Sequence, residues 1–159
     1  MPSELRSLQS LKYLLLEEGV LTGSVPQELG DIRTLEEIDL NFNLLGGSLP
    51  ENIYFLSNLR VLDLNDNELN GELSTRIGSL QKLEFFQIEN NFFTGNIPTE
   101  IGLLQELEVA TLDHNQLEGS MPDEVCQNDN IEVLTADCLG APNRPSPPYV
   151  ACSCCTQCF

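Results

Sequence analysis

Positive charge is scarce in this chain of 159 residues, which has 7 Lys plus Arg against 25 Asp plus Glu. The resulting net charge of −18 excludes proteins that follow nucleic-acid phosphates or anionic membrane surfaces, because both need clustered cations. Trp is absent, His occurs once, and no apolar run approaches the roughly 20 residues of a membrane span. Residues 1–5 lack the basic start and apolar stretch of a secretory signal, and no Asn-x-Ser/Thr site for N-glycosylation occurs.

Apolar residues recur instead with a period of 24 residues. Steps of 24 from Leu8 reach Ile32, Leu56, Leu80 and Leu104, and each is followed by the same apolar pattern and then by Asn, Gly and Pro positions. The register holds without insertion or deletion. A repeat of this length predicts a solenoid in which each coil packs on its neighbours.

Each position of the repeat has a physical interpretation. Leu14 and Leu16 lie two residues apart, so both point inward from a short strand, and one such strand per repeat predicts a parallel sheet. The asparagines at 43, 67, 91 and 115 follow the strands and can satisfy backbone groups in the turn, while Gly19 holds this position in the first repeat. The glycines at 23, 47, 71, 95 and 119 predict tight bends. Pro26, with Glu28 two residues later, predicts the first helical position of a short turn.

Over roughly residues 1 to 125, the pattern resembles the plant-type leucine-rich repeat, L-x-x-L-x-x-L-x-L-x-x-N-x-L-x-G-x-I-P-x-x-L-G-x-L. The resemblance implies an α/β fold, namely a right-handed solenoid with a parallel concave sheet and short 3-10 or helical turns on the convex side. Members of this family include ectodomains of receptor-like kinases and polygalacturonase-inhibiting proteins, which bind peptides, polysaccharide-degrading enzymes or other receptors. The motif residues themselves are interpreted as scaffold.

The repeat divides the chain into two expected regions. Residues 1–127 hold a partial first unit and five full units, and residues 128–159 hold a degenerate sixth coil and a C-terminal cap. Residues 1–8 match the second half of a repeat, so we expect a piece of a longer protein whose first coil lacks a polar cap. Four prolines between residues 141 and 148 are expected to stop the sheet.

All six cysteines lie in this C-terminal region, and their arrangement resembles the terminal cap of extracellular algal, diatom-type leucine-rich repeat proteins. An even number of cysteines where a solenoid needs closing predicts three disulfides, whose pairing the sequence leaves open. Cys154 and Cys155 are expected to reach different partners, such as Cys126 and Cys138, and zinc binding or redox chemistry is the alternative. The six residues are Cys126, Cys138, Cys152, Cys154, Cys155 and Cys158.

The strand residues that alternate with the inward leucines form stacked rows on the concave side. One row is largely apolar, and the neighbouring rows are acidic and contain no Lys or Arg. Carboxylates on adjacent strands about 4.8 Å apart repel by about 1 kcal/mol, with no evident benefit to the fold. A basic peptide or protein would relieve this repulsion, and the aromatic residues would anchor it. The predicted ligand-binding residues are Tyr13, Glu17, Glu18, Glu37, Asp39, Phe42, Asp63, Asp66, Phe85, Glu89, Asp113 and His114.

Other interpretations of this face stay open. Asp39, Asp63 and Asp66 offer the oxygen ligands that Ca²⁺ prefers, and the acids also fit a solvated surface. No cofactor is predicted. Catalysis is not predicted either, because Asp113 and His114 would point to opposite sides of a strand unless the strand ends there, and no Ser or Cys is placed as a nucleophile.

The favoured function is therefore a non-catalytic recognition module that binds a peptide or protein ligand, in an extracellular or cell-surface setting, as part of a larger receptor-like or secreted protein. Nucleic acid and direct membrane contact are not expected. The alternative is a structural cell-wall or extracellular-matrix protein that self-associates through its uncapped N-terminal coil.

Overall fold

The computed structural model describes residues 7–138 and 150–159. The strands are β1 (Tyr13–Leu15), β2 (Thr22–Gly23), β3 (Glu37–Asp39), β4 (Leu44–Gly47), β5 (Val61–Asp63), β6 (Glu68–Glu72), β7 (Phe85–Gln87), β8 (Phe92–Asn96), β9 (Val109–Thr111), β10 (Gln116–Ser120), β11 (Val133–Ala136), β12 (Val150–Ala151) and β13 (Gln157–Cys158). The 3-10 turns are Gln27–Asp31, Glu51–Phe55, Thr75–Ser79 and Thr99–Leu103, and α1 is Asp123–Cys126. No helix within the described ranges has the length and apolar character needed to cross a membrane.

The strands form two parallel sheets. The concave sheet has the order β1-β3-β5-β7-β9-β11-β13, and a second sheet, here called the lateral sheet, has the order β12-β10-β8-β6-β4-β2. The predicted solenoid with a parallel sheet and short 3-10 turns is confirmed, but the expectation of one strand per repeat was wrong. Buried Leu69 between exposed Glu68 and Asn70 is itself a strand-like alternation, and the neighbouring coil supplies the backbone partners.

The periodic apolar residues form one continuous core. Leu40 and Leu64 are fully buried, as predicted for inward-facing strand positions. Leu16, the equivalent residue of the first coil, is 38% exposed, because no coil within the described residues packs on its N-terminal side. The matches of residues 1–5 to a half-repeat lie outside the described residues.

A ladder of buried asparagine side chains links successive coils, as predicted. The Asn67 amide donates to the backbone carbonyls of Leu40, Leu64 and Asn65 at 2.9–3.2 Å, and its oxygen accepts the Leu45 N–H at 3.0 Å. Each such side chain therefore satisfies groups in two neighbouring coils. Equivalent bonds are made by Asn43, Asn91 and Asn115.

The first coil takes glycine where the ladder would begin. Glycine has no side-chain amide to contribute, and a Cβ at Gly19 would lie 2.6 Å from the side-chain oxygen of Asn43, so a larger residue would require a local shift. The ladder therefore starts at Asn43, as predicted. The repeat glycines lie in the last part of the lateral strands and have φ between 77° and 88°, which confirms the predicted tight bends.

The prolines lie one position earlier than predicted. Pro26, Pro50 and Pro98 have extended backbones and serve as N-caps, while the first helical residue follows each of them. The carbonyl of Pro26 accepts the Leu29 N–H at 3.1 Å, which closes the first turn. Proline is tolerated here because its missing N–H needs no partner at the start of a helical turn.

All six cysteines form disulfides, which confirms the predicted number of bridges. The pairs are Cys126–Cys154, Cys138–Cys158 and Cys152–Cys155. The suggested Cys126–Cys154 pair is present, but Cys155 bonds Cys152 and not Cys138. The terminal segment adds β12 to one sheet and β13 to the other, so the cap is a further coil that continues both sheets. The proline-rich segment 141–148 lies outside the described residues, and the boundary at residue 127 stays a prediction.

Candidate ligand-binding face

Strand pairing brings the predicted rows together. The apolar row stacks Tyr13, Glu37, Val61, Phe85, Val109 and Val133 on successive strands. Tyr13 is 54% exposed, whereas Val61 and Phe85 are half-buried. Glu37 interrupts the row, and it places a carboxylate between two apolar side chains.

The second row contains Asp39 and Asp63 in adjacent strands, and both carboxylates have structural roles. Asp39 accepts the Asn41 N–H at 3.1 Å, and Asp63 accepts the Asn65 N–H at 3.1 Å. The second oxygen of Asp63 accepts from the Asn41 side chain at 3.0 Å. The expectation that these acids bring the fold no benefit was therefore wrong, since they satisfy backbone donors in the turns.

The next row, here called the turn row, lies where the chain leaves each strand. It comprises Glu17, Asn41, Asn65, Glu89, Asp113 and Asp137. Glu17 is exposed, whereas Asp113 and Asp137 are 5% and 2% exposed. The sequence presented these acids as one surface, and the fold gives them different surroundings.

The Asp137 side chain takes the place of backbone carbonyls that accept hydrogen bonds in the other turns. In the third and fourth coils, the N–H groups of Asn67 and Asn91 donate to the carbonyls of Asn90 and His114 in the next coil. In the fifth coil the Asp137 carboxylate accepts instead, from the His114 and Asn115 N–H groups, both at 2.9 Å. The degenerate sixth coil thus ends the ladder with a side chain. The sequence gave no sign of this role beyond the missing Asn in that coil.

Asp113 and His114 lie beyond the end of β9, so the stated exception to their opposite orientation applies. Asp113 Oδ2 is 2.7 Å from His114 Nδ1, and the Thr135 hydroxyl donates to the other carboxylate oxygen. The His114 ring also lies 5.2 Å from the Phe159 ring in the cap. The hydroxyl therefore contacts the carboxylate rather than the imidazole, which is not the arrangement of a nucleophile activated by histidine.

A fourth row, here called the rim, has left-handed backbone in the first five coils, a feature that the sequence did not predict. Glu18, Phe42, Asp66, Asn90 and His114 have φ between 50° and 55°. Asn and Asp tolerate this conformation better than Phe or Glu do. Because it recurs with the repeat, the turn geometry imposes it, and it holds Phe42 outward with 56% of its surface exposed.

Burial alters the acidity of three of these groups. The pKa values of Asp39, Asp66 and Glu89 are raised, in each case mainly by desolvation, with neighbouring carboxylates adding to the effect. Hydrogen bonds oppose the rise, including one that the Thr111 hydroxyl donates to Glu89. The side-chain oxygen of Asn41 is also buried and lacks a hydrogen-bond donor within the described part of the chain.

Cations lie at the edge of this face, one residue before the strands. Lys12 pairs with Glu36 at 2.6 Å, and Arg60 pairs with Glu84 at 2.8 Å. These pairs occupy one side of the concave sheet, and their lysine and arginine side chains are more than half exposed.

Neither of the two metal alternatives, Ca²⁺ and zinc, has an assembled site within the described residues. Asp39, Asp63 and Asp66 do not form a group of ligand atoms within 4.8 Å of one another. The cluster that meets this distance is Cys138, Cys152 and Cys155, and its sulfurs are already bonded in disulfides.

Comparison with known proteins supports these structural assignments. The leucine-rich repeat family matches residues 34–56 and 58–80, and no curated protein matches significantly. The plant peptide hormone receptor RGFR1, solved with RGF2, is 31% identical with a TM-score of 0.82, covering 86% of this chain and 22% of that one. The ectodomain of the receptor kinase GASSHO1/SCHENGEN3 from Arabidopsis thaliana, solved with CASPARIAN STRIP INTEGRITY FACTOR 2, is 34% identical with a TM-score of 0.80, covering 86% and 16%.

A third relative has a length closer to that of this chain. The BIR3–SERK2 complex from Arabidopsis thaliana contains a chain that is 32% identical with a TM-score of 0.69, and the match covers 81% of this chain and 70% of that one. By contrast, the chain spans only about a fifth of the peptide receptors that it matches. Sequence identity, shared length and the solenoid geometry together place this protein in the leucine-rich repeat family.

Proposed function

We propose that this solenoid is a non-catalytic extracellular recognition module that binds a basic peptide on the N-terminal half of its concave sheet. The observation that carries the proposal is the exposure of Glu17 and Glu18 beside Tyr13 and Phe42. These carboxylates can attract a cationic ligand, and the two rings offer apolar anchors.

The dimensions of the sheet suit an extended peptide. The first four strands of this sheet, at about 4.8 Å spacing, span about 14 Å, which matches about four extended residues. A standard protein–protein interface needs about 800 Å² from each partner, more than three-residue strands offer here. The known complexes of RGFR1 and GASSHO1/SCHENGEN3 are consistent with a ligand-binding role for this type of solenoid.

The acidic groups would respond to such a ligand. Burial raises the pKa values of Asp39 and Asp66, and an incoming ammonium or guanidinium group would favour their ionised forms. The buried Asn41 oxygen offers one more acceptor. Three disulfides and relatives that are receptor ectodomains support an extracellular setting.

Binding of a basic probe tests the proposal. We expect an N-acetylated, C-amidated peptide of sequence KKYKK to bind, and its affinity to fall about tenfold in the triple variant Glu17→Gln, Glu18→Gln, Glu37→Gln, measured by isothermal titration calorimetry. The matched control is Glu68→Gln, Glu106→Gln, Glu118→Gln, which removes equal charge from exposed residues outside the concave sheet.

Equal losses of affinity in both triple variants would indicate bulk attraction to a chain of net charge −18 and would reject this face. Concentration-dependent oligomers without peptide binding, seen by sedimentation velocity, would favour the self-associating structural protein. The exposed Leu8 and Leu16 would be the first residues to examine in that case.

A further inference from the structure

The basic residues of this acidic chain are not spread evenly. Of the five lysines and arginines in the described residues, Lys12 and Arg60 pair with glutamates beside the concave sheet. The other three lie on the opposite, convex side, where two of them contact an exposed aromatic ring and the third bonds a nearby asparagine. We call Arg33, Phe55, Arg76 and Lys82 the convex patch.

Both guanidinium groups of this patch lie over the same ring. The Cζ atoms of Arg33 and Arg76 are 5.3 Å and 5.5 Å from the Phe55 ring centre. Arg33 also donates to the Phe55 carbonyl at 2.7 Å, and Arg76 pairs with Glu51 at 3.0 Å. These contacts fix the orientation of the two side chains while Phe55 remains 44% exposed.

Asn58 brings the third cation into the patch. Its amide donates to the Arg33 carbonyl at 3.0 Å, and its oxygen accepts from Lys82 Nζ at 2.9 Å. Within the described chain, neither Arg33 nor Lys82 forms an ion pair with a carboxylate. Two oriented cations therefore lack counter-charges in a protein that has 25 acidic residues.

Beneath the patch, Tyr54 occupies a position that glycine fills in the other 3-10 turns. Gly30 and Gly102 occupy one position of the 3-10 turns, where a Cβ would come within 2.4 Å of the backbone of the next coil. Tyr54 holds this position in the second repeat and is 3% exposed. The resulting depression at the surface is lined by Arg33, Tyr54, Phe55, Ser57 and Ser79.

We propose that the convex patch is a second docking surface, which binds a carboxylate-rich segment of a partner protein. Arg33 and Lys82 would pair with its carboxylates, Phe55 would contact an apolar side chain, and the Ser57 and Ser79 hydroxyls would donate hydrogen bonds. Charge complementarity selects this partner, because Arg33 and Lys82 have no carboxylate partner among the described residues, whereas Lys12 and Arg60 are each paired with a glutamate. The proposal concerns a different face from the proposed function and does not depend on it.

The test uses an acidic probe, an N-acetylated, C-amidated peptide of sequence EEYEE. Titration into the ¹⁵N-labelled chain should shift the backbone amides of Phe55, Ser57 and Ser79. We expect the double variant Arg33→Gln, Lys82→Gln to weaken binding about tenfold. The matched control Lys12→Gln, Arg60→Gln removes the same charge beside the concave sheet and should leave the affinity unchanged.

A further variant separates the ring from the charges. Phe55→Leu keeps all cations but removes the aromatic contact, and we expect it to weaken binding about threefold. Thermal unfolding by circular dichroism shows that each variant is folded before it is titrated. Shifts confined to other residues, or equal losses in the two double variants, would overturn the proposal.

Self-association is a separate outcome of the same experiment. If sedimentation velocity shows oligomers of the wild-type chain that disappear in Arg33→Gln, Lys82→Gln, the occupant is a second copy, and the proposed partner is wrong. If the wild-type chain binds EEYEE but not KKYKK, the concave-face function is rejected while the convex patch remains supported.

Discussion

Glu17 and Asp137 occupy the same position of the repeat at opposite ends of the concave sheet. Glu17 is exposed in the first coil. Asp137 is 2% exposed and accepts hydrogen bonds from two backbone N–H groups of the fifth coil. Asp113, one coil earlier, is likewise buried and contacts His114 and Thr135. The same residue chemistry is thus available to a ligand at one end and committed to the fold at the other.

The difference shows how a repeat protein separates structure from recognition. A regular coil satisfies the turn with backbone carbonyls of the next coil, which leaves the side chain free to face solvent. Near the cap the next coil is irregular, so side chains of Asp137 and Thr156 take over that role. A regular neighbour is not sufficient, because Asp63 lies between regular coils and is still buried and bonded to the turns. An acidic residue is therefore a candidate for recognition only where it stays exposed, as Glu17 does.

The test with the largest expected effect asks whether the asparagine ladder stabilises the third and fourth coils equally. Asn67→Ala and Asn91→Ala should each lower the free energy of unfolding by about 3–5 kcal/mol, because each leaves several buried backbone groups unsatisfied. Urea denaturation measures the change. Asn70→Ala, at an exposed position of the lateral sheet, should stay within about 0.5 kcal/mol of wild type. Clearly unequal losses at the two ladder positions would show that the scaffold itself differs along the sheet, and not only the acidic residues on it.

The second test compares the two ends directly. Asp137→Ala should cost about 2–4 kcal/mol, because the His114 and Asn115 N–H groups lose their charged acceptor. Asp137→Asn retains one acceptor oxygen and should cost less. Glu17→Ala should change stability by no more than about 0.5 kcal/mol. A cost for Glu17→Ala as large as that for Asp137→Ala would abolish the distinction between the two ends.

The smallest effect concerns Glu89, which lies between the two ends and is half-buried. Its raised pKa means that the folded state holds the proton more tightly, so this group lowers stability as the pH rises from its ordinary value through the raised one. Asp39 and Asp66 act in the same direction. Glu89→Gln should therefore flatten the fall in stability above about pH 4.5, measured by thermal unfolding at several pH values.

Thr111→Val is the opposing variant for the same measurement. It removes the hydroxyl whose hydrogen bond lowers the pKa of Glu89, so burial is less opposed and the fall in stability should extend to higher pH. A shift of the fall to lower pH would contradict this assignment.

Much of the fold was predictable because its causes are local and repeated. The Asn ladder from Asn43, the glycine bends and the inward leucines follow from residue types at fixed spacing. The lateral strands were missed because they are short and their partners belong to other coils. The proline positions were displaced by one residue because helix capping depends on backbone geometry that sequence spacing does not resolve.

The candidate site was predictable only as a set of rows. Spacing placed Tyr13, Val61 and Phe85 in one stack, and strand pairing confirmed it. It could not show that Asp63 and Asp113 would be buried, or that Cys155 would bond Cys152. Those outcomes depend on which groups meet between coils and in the cap, where the repeat no longer fixes the neighbours.

By itself, then, the sequence determined the solenoid, its period, the excess of negative charge and the residues that share each face, because a 24-residue register repeats the same local interactions in every coil. Only the tertiary structure decided which carboxylates stay exposed, how the cysteines pair, and that Arg33 and Arg76 meet over the Phe55 ring. These properties arise from contacts between coils, and those contacts depend on the side chains of two or three neighbouring repeats at once.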